Sequence, residues 1–154
     1  MHPTSLSRKY ALLTATLLWI TACSPETPQT LVTIADARTY PARFIDIGEP
    51  GDSAGDVLVF DQPLLDEDMQ EIGNNSGACI RTRAEHSFQC QWTLTFENGT
   101  IQVAGREFDQ GASDISITGG TGRYSGITGE LTSVNNKDGT FTQTLHYWSN
   151  RQHE

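Results

Sequence analysis

Beyond residue 23, apolar positions alternate with polar ones, and no long stretch carries apolar side chains at helical spacing. The clearest alternation is "CQWTLTFENGTIQVAG", which sets Trp92, Leu94 and Phe96 on one side of a strand and Thr93 and Thr95 on the other. Asn98-Gly99 reads as a two-residue hairpin turn, because both turn positions need a positive φ. That turn sets Phe96 opposite Ile101 and Leu94 opposite Val103, all on one face. Further strands are predicted at "LVTIADA", "TYPARFIDI", "DVLVFDQPLL", "ACIRTRA", "DISIT", "YSGITGELTSV" and "TFTQTLHYW". Pro63 ends the third by removing a ladder donor, and Asp138-Gly139 supplies a second hairpin turn. About eight short strands separated by turn signals predict an all-β domain, a small antiparallel barrel or sandwich.

The first residues follow another pattern. Arg8 and Lys9 precede an apolar run from Tyr10 to Ile20, too short for a mature membrane span and shaped like the core of a signal peptide. Ile20-Thr21-Ala22-Cys23 resembles a bacterial lipobox, which implies cleavage after residue 22 and lipidation of Cys23; plain secretion is the alternative. Pro25, two residues on, favours the outer membrane by resemblance to Gram-negative lipoproteins. The domain plan is therefore a signal peptide over 1–22, a polar Pro-containing tether over 23–30 and one domain over 31–154. Losing residues 1–22 removes Arg8 and Lys9 and no acid, so the formal net charge moves from −9 to −11. Such a chain repels nucleic acid and anionic head groups, and membrane contact is expected through the lipid anchor alone.

In an oxidising envelope the remaining Cys79 and Cys90 face two readings. A hairpin centred between Ala84 and Glu85 sets them opposite each other and allows a cross-strand disulfide; otherwise they are two buried thiols. Cys79 shares strand parity with Arg81 and Arg83. Either the arginines turn inward onto Asp46, Asp56 or Glu107 and grip a ligand carboxylate, or they reach solvent at a strand end. "GDSAG", Gly51 to Gly55, matches a nucleophile-elbow pattern, but a strand follows where that site needs a helix, so Ser53 reads as a turn residue. The histidines and cysteines lack metal-site spacing, and "DIGEPGDSAGD" lacks calcium-loop ligands. Gly120, Gly122 and Gly126 are one residue too widely spaced for a dinucleotide fingerprint, and no helix follows. Those glycines suit barrel corners instead.

Four segments in order, "GDVLVFDQPLLD", "GNNSGACI", "LTFENGTIQVAG" and "ITGGTGRYSGITGEL", resemble the allene oxide cyclase barrel family, which includes the plant dirigent proteins. The likeness spans about residues 45–131 and is nearer to bacterial members with a "GEPGDSAGD" type of lead-in. The resemblance implies an eight-stranded antiparallel β-barrel, a homotrimer, no cofactor, and an apolar cavity for a hydrophobic or fatty-acid-derived unsaturated molecule. Such proteins act by restricting reactive conformers. The family's cavity positions fall on Leu58 and Phe60 (an aliphatic and phenylalanine pair), Cys79 (cysteine) and Gln62 (a water-holding asparagine). Its cavity tyrosine falls near Glu107 or Phe108, and Thr33 stands near its first-strand glutamate. Two functions are expected: a cofactor-free cyclase, isomerase or stereocontrol protein, or a non-catalytic lipophilic-ligand-binding or structural envelope lipoprotein.

Overall fold

The structure is a computed structural model that describes residues 27–149. The expected signal peptide and Cys23 lie outside the described residues. The strands are β1 (Gln29–Asp36), β2 (Arg43–Ile45), β3 (Val57–Leu65), β4 (Glu71–Arg83), β5 (Ser87–Phe96), β6 (Gly99–Phe108), β7 (Ala112–Gly120), β8 (Ile127–Asn135) and β9 (Thr140–Ser149). From β3 to β9 each strand pairs antiparallel with the next, and β9 pairs with β1 from Gln29–Tyr147 to Asp36–Thr140. Ile34–Leu65 and Ala35–Leu64 then join β1 to β3. This closes β1 and β3–β9 into an eight-stranded antiparallel barrel. Closure removes the sheet edges that invite aggregation; the three-residue β2 pairs with the first part of β3.

The two halves of the interior differ. Leu64, Leu94, Ile101, Leu131 and Leu145 fill one half with no exposure, each contributing about 1.5–3 kcal/mol by burial. Tyr124 and Tyr147 cap that end, their rings 6.1 Å apart. The glycine-rich stretch delivers Tyr124. It makes a 3₁₀ turn, Gly122–Tyr124, and straps onto the β5–β6 turn through Arg123 N to Asn98 O at 2.8 Å. A Cβ on Gly122, which has φ 57°, would overlap Asn98 O. The glycines therefore plug a barrel end.

The β5–β6 hairpin keeps the expected faces but shifts by one turn position. Glu97-Asn98 forms the turn, so Phe96 faces Gly99, Leu94 faces Ile101 and Trp92 faces Val103. Backbone contact between Gly99 and Thr121 sets this pairing, because a Cβ at Gly99 would strike Thr121 O. β3 runs on past Pro63 to Leu65; it stays paired with β4 through a bulge between Leu64 and Leu65, while its other edge pairs with β2 at Val57–Val59 and with β1 at Leu64 and Leu65. β4 begins at Glu71, well before the expected "ACIRTRA", and "TYPARFIDI" keeps only Arg43–Ile45 as strand.

Candidate functional site

The other half of the barrel encloses a cavity of about 170 Å³. Its side chains come from the ends of β3–β9 nearest the loops 37–42, 46–56, 84–86, 109–111 and 136–139, which form the mouth. Alternation on β3 turns Leu58, Phe60 and Gln62 inward. Phe60, Gly77 and Trp92 form one cross-strand row, and a Cβ at Gly77 would overlap Trp92 Cβ. That glycine lets the Phe60 and Trp92 rings meet edge-on across the β4 backbone, with centroids 6.4 Å apart. Phe88, Phe108 and Phe141 add aromatic wall nearer the mouth.

Three amides line the deeper part of the cavity: Gln62, Asn75 and Gln143, with exposures of 4%, 3% and 3%. Gln62 lies directly opposite Asn75 across the β3–β4 pair. Gln143 Oε1 accepts from Thr33 Oγ1 at 3.3 Å. Among the described residues the amides of Gln62 and Asn75 have no hydrogen-bond partner, and Asn75 Oδ1 is fully enclosed.

Glu107 sets a carboxyl into the cavity wall, and Asp109 lines it nearer the mouth. Ser133 Oγ donates to its Oε1 at 2.7 Å from across the barrel. Burial pushes its carboxyl pKa above the ordinary range, against the opposing effect of the Ser133 hydrogen bond. What surface it keeps faces the cavity. The neighbouring wall is the Cys79–Cys90 disulfide, which bridges directly opposed residues with Cα atoms 4.0 Å apart. Both sulfurs and a Glu107 oxygen lie within 4.8 Å of one another, but disulfide sulfurs are not the thiolates a metal site requires.

Arg81 is buried beside the mouth. Its Nε lies 2.6 Å from Asp52 Oδ1, its Nη1 donates to Asp109 at 2.7 and 2.8 Å, and its guanidinium stacks 3.6 Å from the centre of the Phe88 ring. Arg81 is thus buried and paired with carboxylates, Asp52 and Asp109 in place of Asp46, Asp56 or Glu107, but it does not line the cavity. The bulge between Arg81 and Arg83 breaks strand parity and leaves Arg83 exposed. Asp56 organises the loop over 46–56 by accepting from the backbone N–H groups of Ile47 at 2.8 Å and Ser53 at 2.6 Å. Those two bonds hold its carboxyl pKa below the usual value. Ser53 is thus a turn residue.

Leu58, Phe60, Gln62, Cys79, Glu107 and Phe108 all line this one cavity. Sequence reasoning missed Asn75, Trp92, Ser133 and Gln143. Only Trp92 carried a signal, its parity with Leu94; Asn75 sits in "GNNSG", whose composition disguises a strand.

The description "allene oxide cyclase barrel like domain" matches residues 32–144. No curated protein sequence matches the chain. Among solved structures, a pyocyanin demethylase is 25% identical with a TM-score of 0.68, over 78% of this chain and 100% of its own. A pterocarpan synthase dirigent protein is 19% identical with a TM-score of 0.63, over 90% of this chain and 96% of its own. The Diels-Alderase AbmU from Streptomyces koyangensis is 20% identical with a TM-score of 0.64, over 79% of this chain and 64% of its own. The last two likenesses are of fold. With the closed eight-stranded barrel and the domain match over most of its length, this chain belongs to the allene oxide cyclase barrel like family.

Proposed function

We propose that this chain is a lipid-anchored envelope protein whose barrel holds a hydrophobic, unsaturated small molecule and directs its cyclisation or isomerisation. The observation that carries the reading is Glu107, a carboxyl of raised pKa inside an aromatic-walled cavity, held by Ser133. A carboxyl whose pKa is raised keeps its proton to higher pH than a solvated one; in that protonated form it can donate to a carbonyl or epoxide oxygen, and the resulting carboxylate can take a proton from another atom of the same ligand. The rigid wall of Phe60, Trp92 and the disulfide limits the conformers that react. Names among the similar structures, a pterocarpan synthase dirigent protein and a Diels-Alderase, support use of this barrel for ring-forming chemistry, while the name of the demethylase points to a different reaction on the same fold. A carrier function is the second reading. Thr33, paired with Gln143 of β9, stands on the first strand near where the plant cyclases keep a glutamate, so the plant site is not reproduced.

The test starts from the native protein. Compounds extracted from it are identified by mass spectrometry and incubated with the purified chain. Conversion to an isomer of unchanged mass supports catalysis, and Glu107→Gln should slow it about 100-fold or more. Leu58→Trp should block uptake with an unchanged far-ultraviolet spectrum. A compound returned unaltered by wild type favours the carrier.

A further inference from the structure

The charges and amides of the cavity say which polar group it takes. Among the described residues no Lys, Arg or His lines it, and the ionisable groups of the lining are Glu107 and Asp109. The nearest cations are committed elsewhere. Arg81 lies outside the lining, held by Asp52, Asp109 and the Phe88 ring. Lys137 is exposed at the rim, with Nζ 3.5 Å from Asp109 O and Gln110 Oε1. A carboxylate seated against the deep wall would lose water, find no cation among the lining side chains and approach Glu107, while Asp109 at the mouth is already paired with Arg81. The deep wall, in contrast, holds three nearly inaccessible amides with unused hydrogen-bonding groups. Gln62 and Asn75 are unpartnered side by side among the described residues, and Gln143 uses only its Oε1. Buried polar groups are ordinarily paired, so such a cluster on a cavity wall marks where a bound molecule completes the bonds. Primary amides offer both donors and acceptors and carry no charge.

Resting on the reading of this cavity as the ligand site, we propose that its ligand is an uncharged oxygenated or amide-bearing hydrophobic molecule, seated with its neutral polar group on Gln62, Asn75 and Gln143. Molecules that would have to seat a carboxylate on these amides are excluded. The apolar body of the ligand lies along Leu58, Phe60 and Trp92, with its far end toward Phe108 and the mouth. Register places Cys90 two residues along β5 from Trp92, about 7 Å at strand rise. Glu107, beside Cys90, therefore meets the ligand several bonds away from the group the amides hold.

Matched probes on one rigid frame test this: 2-naphthamide, 2-acetonaphthone, 2-ethylnaphthalene, 2-naphthoate and (2-naphthylmethyl)ammonium, measured by equilibrium dialysis at pH 8. The amide should bind about tenfold tighter than the hydrocarbon and more than tenfold tighter than naphthoate. Gln62→Leu with Asn75→Leu should erase the amide-over-hydrocarbon preference while hydrocarbon binding persists. If the double variant does not fold, Gln62→Met alone should reduce the preference at least threefold. Glu130→Gln, exposed on the outer side of β8, should leave it intact; because the readout is binding alone, failure here is distinct from failure of the catalytic reading. The proposal is overturned if naphthoate or the ammonium probe binds as tightly as the amide, if the preference survives loss of the amides, or if no probe binds.

Discussion

Glu107 and three aspartates respond to pH in opposite directions. Glu107 has an ordinary value of 4.5 that burial raises in the fold. A group of raised pKa holds its proton more tightly when folded, so its support for the fold is complete below 4.5 and is lost as pH climbs through the folded-state value. Asp36, Asp56 and Asp138 run the other way. Their pKa values are lowered, chiefly by the Arg38 side chain, the Ile47 N–H and the Thr140 side chain respectively. They stabilise above the ordinary 3.8 and lose that contribution on acidification. Glu107→Gln keeps the Ser133 hydrogen bond and removes the titration. The variant is therefore expected to match wild type in urea unfolding near pH 4 and to exceed it near pH 8. Equal stability at both pH values would mean that Glu107 titrates like a solvated carboxyl. The sequence placed Glu107 at a cavity position through resemblance alone. Its partner Ser133 was not legible, because it sits 26 residues away and reaches Glu107 only once β6, β7 and β8 have paired in register.

Among the elements, the β4–β5 hairpin is the stiffest part of the cavity wall and also the best test of what turn signals can say. Its centre between Ala84 and Glu85 gave the Cys79–Cys90 pairing correctly, because direct opposition depends only on the sum of the two positions. The Asn98-Gly99 signal placed β5 and β6 one turn position off, because a remote strap, Thr121 to Arg123, selects which residue must be glycine. Local turn chemistry misses such tertiary choices. Faces survived the error, since alternation is unchanged by that shift. The disulfide closes a short loop, with a sequence separation of 11, between strands already paired. Replacing both cysteines by alanine should cost about 2 kcal/mol in denaturant unfolding, near the lower end for such bonds. A cost near zero would show that the ladder alone holds this wall. Arg81→Ala should cost about 3 kcal/mol, since it strands Asp52 and Asp109 together at the mouth.

Over the whole molecule, the outer surface and the two barrel ends carry different expectations. Ile45, Val57 and Ile80 form a cross-strand row on the outside, with Ile45 and Ile80 44% and 54% exposed. An apolar row of this kind suits the trimer implied by the family resemblance, and Ile80→Lys should then lower the mass seen in sedimentation to that of one chain. The ends settle orientation. β1 enters at the plugged end, where Tyr147 Oη donates to Gln29 Oε1 at 3.1 Å, and runs toward the mouth. A tether from Cys23 to Pro28 reaches at most about 20 Å. If Cys23 carries the anchor, the plugged end faces the membrane and the cavity opens away from it, toward ligands arriving from the aqueous side. Cys23→Ser should release the protein from the membrane fraction. In acylated protein on vesicles, a fluorophore at Glu67→Cys, in the β3–β4 loop of the plugged end, should be quenched by lipid-borne quenchers. One at Gln110→Cys, on the mouth, should escape. Membrane retention of Cys23→Ser would remove the anchor from the account, whereas equal quenching at both sites would keep the anchor and reject the orientation.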